Sequence, residues 1–133
     1  AQGVDSGRLA MLLAVLERRA GVNLAQHEVF ASVVGGVKLS EPGADLGLCL
    51  ALVSAVTNQP LAENLVACGE VGLAGELRQA SNTARRLGEA ARLGFTRAII
   101  PASSAKDIKI SGIKLEPAET VAQALALAGL SVK

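Results

Sequence analysis

Two short strings and one glycine-rich stretch are the places where this chain could carry chemistry. Ser103-Ser104-Ala105-Lys106 has SxxK spacing, which puts a lysine one helical turn from a serine whose proton a neutral amine could take. Neither SDN nor KTG accompanies it, so the segment reads as a polar loop capping a short turn. Gly69-Glu70-Val71-Gly72-Leu73-Ala74-Gly75 spaces its glycines by three, unlike GxGxxG, and no GxxxxGK[ST] string occurs. These glycines read as strand-turn residues that need a positive φ or a close backbone approach. His27, Cys49 and Cys68 are too few and too scattered for a zinc site, and His27 reads as a surface or strand-edge residue. Glu116 and Glu119 read as helix-entry residues that complement the helix dipole.

Composition narrows the field further. The 133 residues suit one domain, 1–133, and at 50% hydrophobic they can fill a core. Phe30 and Phe95 are the only aromatic residues, so that core must be built from Ala, Leu, Val and Ile. A base-stacking platform and an aromatic cage are excluded for the same reason. The net charge of +1 excludes a strongly basic, sequence-reading DNA binder. Charge is nevertheless uneven: Arg78, Arg85, Arg86, Arg92 and Arg97 face only Glu70, Glu76 and Glu89 between residues 70 and 97. Cys49 and Cys68 sit in the apolar runs LGLCLALV and NLVACGE, which points to a reduced, cytoplasmic setting. No apolar run approaches the roughly 20 residues of a membrane span. The opening AQGVDSGRL reads as a cut within a longer protein.

The elements that must position these residues alternate between helix and strand. Asp5 or Ser6 can cap a helix with Leu9, Leu12, Leu13 and Leu16 on one face, ended by Arg18-Arg19 and Gly21. Residues 28–34 and 37–40 read as strands around Gly35-Gly36. Pro42 opens a helix from Ala44 to Thr57 in which Asp45 is the only charge, a pattern that belongs inside a fold. Short strands follow at Leu65–Cys68 and Val71–Leu73, then an amphipathic helix at Asn82–Leu93 and a buried strand at Arg97–Ile100. Ile108–Ile110 and Ile113–Leu115 read as strands, and Ala118–Ala128 as the last helix. The class is α/β (α+β), with no repeat or low-complexity linker.

Several ordered blocks carry a family resemblance. They are Gln2-Gly3-Val4-Asp5 and Arg8-Leu9-Ala10; Glu41-Pro42-Gly43-Ala44-Asp45; Ala51-Leu52-Val53-Ser54-Ala55-Val56-Thr57; and the stretch from Gly69 to Arg78. Residues 85–95, from Arg85-Arg86-Leu87-Gly88 to Leu93-Gly94-Phe95, and Ala98-Ile99-Ile100-Pro101 continue them in the same order. Over nearly its whole length the chain resembles the Lon-protease-type domain, in the branch carried at the carboxy-terminus of bacterial DNA-repair ATPases. The resemblance implies a fold related to ribosomal protein S5 domain 2 and to GHMP-type kinases, and a hexameric ring. It also implies a parent with an amino-terminal zinc finger and a RecA-like ATPase, both outside this chain, so that ATP, Mg and zinc belong there and no cofactor belongs here. The parent would bind single-stranded or branched DNA and drive branch migration in recombinational repair.

Active relatives use a Ser–Lys dyad. Aligning Ala51-Leu52-Val53-Ser54 with the protease helix places Gly43 at the serine position, and aligning back from Ile100-Pro101 places Ala84 at the lysine position. The resemblance thus implies an inactive protease domain with no catalytic residues. Its expected role is assembly and DNA contact, with Lys38, Arg78, Arg85, Arg86 and Arg92 as candidate phosphate partners. A ring would need an exposed apolar face, which residues 46–56 could supply if they did not form the core; Met11, Leu12 and Val15 are alternatives. The competing expectation is a residual peptidase or peptide-binding domain. Neither reading involves a membrane.

Overall fold

The computed structural model describes residues 6–22 and 42–132. The strands expected over 28–34 and 37–40, together with His27 and Lys38, lie outside the described residues.

Helix α1, Ser6–Arg19, follows its apolar stripe: Leu12, Val15 and Leu16 are buried, with Leu9, Met11 and Leu13 packed around them. It stops where Gly21 takes φ 72°, and the amides of Ala20 and Val22 both donate to the Leu16 carbonyl. Arg18 and Arg19 in the last turn complement the carbonyl end. A 3-10 turn, Pro42–Ala44, leads into α2, Asp45–Thr57, which ends at Asn58 in the left-handed conformation. Leu46, Leu48, Cys49, Leu50, Leu52 and Val53 of α2 are all buried. These six side chains are core, whereas Ala51 and Ala55 of the same helix are exposed.

Strand β4, Arg97–Pro101, lies between β1, Leu65–Ala67, and β5, Lys114–Ala118, and is parallel to both. Its side chains alternate across the sheet. Ile99 joins Leu12, Leu16, Leu46, Leu52 and Leu125 on one side, whereas Ala98 and Ile100 join Leu87, Ala90 and Ile113 on the other. A parallel strand covered on both faces has to be apolar throughout, which accounts for the Ala-Ile-Ile run. Helices α1, α2 and α5, Val121–Leu127, cover the first side. Helix α3, Thr83–Arg92, covers the second through Leu87 and Ala90. A single-turn helix α4, Ala102–Ala105, follows β4 directly. The α/β class stands.

Four expectations are corrected. The strand expected at Val71–Leu73 is Glu70–Val71, β2, paired antiparallel with Leu77–Arg78, β3. The Gly72 amide donates to the Glu76 carbonyl and the Gly75 amide to that of Gly72, closing the turn and leaving Leu73 exposed. Ile108–Ile110 is irregular; Ile108 and Ile110 pack against the second cluster as a loop, so burial alone explains their apolarity. The last helix begins at Val121 because Ala118 still belongs to β5 and Thr120 caps: its hydroxyl accepts from the Gln123 amide at 3.1 Å while Gln123 Oε1 accepts from the Glu119 amide at 2.7 Å. Glu116 is consequently a strand residue and not a helix-entry one.

Glu116 instead receives a forked pair of hydrogen bonds from Arg97, from Nε at 2.6 Å and Nη2 at 3.0 Å. The guanidinium also reaches the Leu127 carbonyl at 3.1 Å, tying the sheet to α5. This hydrogen-bonded guanidinium holds the Glu116 carboxyl below the usual carboxylate range. With the folded pKa depressed, the pair stabilises fully above the unfolded value, about 4.3, and the benefit is lost as pH falls through the folded value. Glu116→Gln is therefore expected to lose stability against urea at neutral pH and to lose little in acid, below both pKa values. An equal loss at both pH values would remove the carboxylate as the cause.

Candidate functional site

The start of α2 is held by a buried charge. Asp45, 2% exposed, accepts from Arg8 Nε at 2.5 Å, from Arg8 Nη2 at 2.9 Å and from the Val71 amide at 3.0 Å. A carboxylate this deep requires such partners. The backbone adds a reciprocal clasp: the Gly69 amide donates to the Gly43 carbonyl at 3.0 Å, and the Leu46 amide donates to the Gly69 carbonyl at 3.1 Å. The 3-10 turn is thereby fixed against the loop between β1 and β2.

Gly43 is buried in this turn and lines a cleft of about 340 Å³ with Glu70, Gln79, Ala80, Ser81, Asn82 and Arg86. A Cβ at Gly43 would lie 3.0 Å from the Ala80 Cβ and 3.6 Å from Arg86 Nη1. The space in front of Gly43 is thus bounded by a methyl group and a guanidinium. Ala84, exposed in the first turn of α3, lines a neighbouring cleft of about 130 Å³ with Gln79, Ala80, Thr83, Ser104, Asp107 and Ile108. The two clefts share Gln79 and Ala80, so the fold brings Gly43 and Ala84 to adjoining hollows.

The arginines separate into three groups. Arg78 is exposed but forks onto Glu76, with Nη2 at 2.6 Å and Nε at 3.0 Å from Oε2, which holds the Glu76 carboxyl below its ordinary range. Glu76 Oε1 also accepts from the Ala74 amide, so this pair is built into the β2–β3 turn. Arg86 is half-buried and turned into the Gly43 cleft. Arg85 and Arg92 are exposed, and neither makes an ion pair among the described residues. They lie two turns apart on one face of α3, roughly 10 Å along the axis, a spacing that two backbone phosphates can meet. Lys38 falls outside the described residues.

The SxxK string does not form a loop. Ser103 and Ser104 lie in α4, Ser103 and Lys106 point to solvent, and Ser104 is buried with a hydroxyl that has no hydrogen-bond partner. The thiols are equally unsuited to chemistry: burial, with help from Asp45, pushes Cys49 up to about 12, and burial raises Cys68. Among the described residues no group of His, Cys, Asp and Glu could hold a metal ion, and no helix is long and apolar enough to cross a membrane. Reading the sequence missed the partners of Asp45 and Arg97. The first had a signal, since a lone charge in an apolar helix demands a counter-ion; the second had none.

Residues 22–128 match the Lon protease (S16) C-terminal proteolytic domain, and the chain belongs to that family. Within it, the chain is similar to proteins named DNA repair protein RadA. It is 46% identical to that of Haemophilus influenzae and 45% to that of Escherichia coli, in each case over 127 residues covering 96% of this chain and 28% of the relative. To that of Mycobacterium tuberculosis it is 50% identical over 101 residues, covering 76% of this chain and 21% of the relative. The chain spans about a quarter of the length of these curated relatives, and it matches their carboxy-terminal Lon-like region.

Proposed function

We propose that this chain is the non-catalytic assembly and DNA-contacting domain of a RadA-like, ATP-dependent branch-migration protein of recombinational DNA repair. The observation that carries the reading is the similarity over 96% of the chain to proteins named for DNA repair. The two adjoining clefts support the loss of catalysis, since Gly43 and Ala84 offer neither a hydroxyl nor an amine where the dyad would stand. Arg85 and Arg92 supply phosphate contacts, and a hexameric ring multiplies a few contacts per subunit into useful affinity. In this reading DNA, single-stranded or branched, is the partner; ATP, Mg and zinc act in other segments of the cytoplasmic parent.

The test is fluorescence anisotropy with a labelled single strand and a labelled branched junction, alongside sedimentation of the chain across a concentration series. Binding that weakens steeply with salt, together with self-association, is expected. A strictly monomeric chain that binds neither DNA at low salt sinks the proposal.

The alternative is a residual peptidase or peptide-binding role. Incubation with unfolded casein is expected to give no cleavage. Gly43→Ser with Ala84→Lys is also expected to stay inactive, because a side chain at 43 meets Ala80 at 3.0 Å and the Arg86 guanidinium beyond it. Cleavage by the unaltered chain would favour the alternative.

A further inference from the structure

The cleft between the first turn of α3 and helix α4 is rich in hydrogen-bond acceptors that nothing in the described structure uses. Gln79 Nε2 donates to the Ser103 carbonyl at 2.7 Å, which fixes the amide and leaves Oε1 as an acceptor. Thr83 Oγ1 donates to the Ala80 carbonyl at 2.8 Å and keeps its lone pairs. Asp107 makes no ion pair among the described residues, although its carboxylate is the only charged group in the lining. Ser104, 5% exposed, contributes a buried hydroxyl without a partner, a group that ordinarily signals a missing one. The remaining walls, Ala80, Ala84 and Ile108, are apolar.

An anion is disfavoured by Asp107, and a purely apolar group would strand the acceptors. We infer that this cleft binds a primary ammonium group on a short alkyl stem, as in a lysine side chain or a free alkylamine. The ammonium supplies its donors to Asp107 and Gln79 Oε1, with the unpartnered Ser104 in the same lining; the stem lies along Ala80, Ala84 and Ile108. The volume of about 130 Å³ admits a short alkyl stem. This inference is independent of the DNA reading, since none of these residues is a proposed phosphate partner.

The experiment is an amide-resolved NMR titration of the whole chain with n-butylamine, with Nα-acetyl-lysine methylamide and with n-butanol as the uncharged control. The two amines are expected to give saturable shifts at Thr83, Ala84, Ser104 and Asp107, and n-butanol none. Tighter binding of the lysine amide assigns the cleft to lysine side chains; equal binding assigns it to free amines. Asp107→Asn is expected to weaken the amines about tenfold by removing the charge-assisted bond. Ala84→Lys, at an exposed position on the rim, fills the cleft from its own wall and blocks the probe. Equal shifts with n-butanol, no saturation, or unchanged affinity in Asp107→Asn would overturn the inference.

Discussion

Asp45→Ala is expected to cost about 3–5 kcal/mol of folding stability, the range for breaking a buried ion pair. Against the total of roughly 5–15 kcal/mol that holds a domain together, this is a large share. The cause is specific. Removing the carboxylate takes the forked acceptor away from the Arg8 guanidinium, whose side chain is only 25% exposed, and deprives the Val71 amide of its acceptor. It also removes the acidic residue from the first turn of α2, where it meets the positive end of the helix dipole. Arg8→Met is expected to cost a similar amount, because it leaves the carboxylate buried without its counter-ion. The double variant Arg8→Met, Asp45→Ala is expected to lose much less than the two single losses together, since no charge is then left behind, although the Val71 amide still lacks a partner. Urea unfolding followed by far-UV circular dichroism measures all three; with no Trp or Tyr in the chain, intrinsic fluorescence offers little. A double variant that loses the sum of the single losses would exclude the ion pair as the origin.

Under the proposed DNA-contacting role, replacing both Arg85 and Arg92 by glutamate is expected to lower DNA affinity at least about tenfold near physiological salt. Losing two phosphate contacts also flattens the salt dependence by roughly 1.4 in log–log slope for a single strand. Both side chains are exposed, so the fold and its circular dichroism are expected to be unchanged. Arg78→Ala is the informative control. Arg78 is equally exposed, but its charge is already spent on Glu76, and its loss is expected to change affinity less than about twofold. Compared with Arg85→Ala and Arg92→Ala taken singly, each the same loss of one charge, this control separates placed phosphate contacts from net charge alone, because a nonspecific effect of charge would treat all three arginines alike. Indistinguishable binding by the double variant and the parent would remove α3 from the interface.

The elements were legible where one helix or strand decides its own burial. The stripe Leu9, Leu12, Leu13, Leu16, the nearly all-apolar run after Asp45 and the Ala98-Ile99-Ile100 core each declare an environment through local pattern. What was hidden depends on contacts far apart in sequence. Glu116 looked like the approach to a helix because its partner Arg97 becomes adjacent only when β4 and β5 pair. Arg86 looked interchangeable with Arg85, yet one step along α3 turns it toward the Gly43 cleft. Ile108 and Ile110 had strand-like composition but pair with no strand, and they pack against the second cluster from a loop. Among the candidate phosphate contacts, sequence supplied the set and the fold sorted it, by pairing Arg78, half-burying Arg86 and leaving Arg85 and Arg92 open.

The central sheet also divides the cysteines. Cys49 belongs to the cluster packed by α1, α2 and α5, and Cys68 to the one packed by α3, so each hydrophobic half holds a single thiol. Neither reacts readily while covered, since a thiol held at about 12 for Cys49 carries almost no thiolate at neutral pH. Alkylation at each site is therefore gated by exposure of its own half. The ratio of the two modification rates reads out whether the layers separate together or one after the other, without any engineered label.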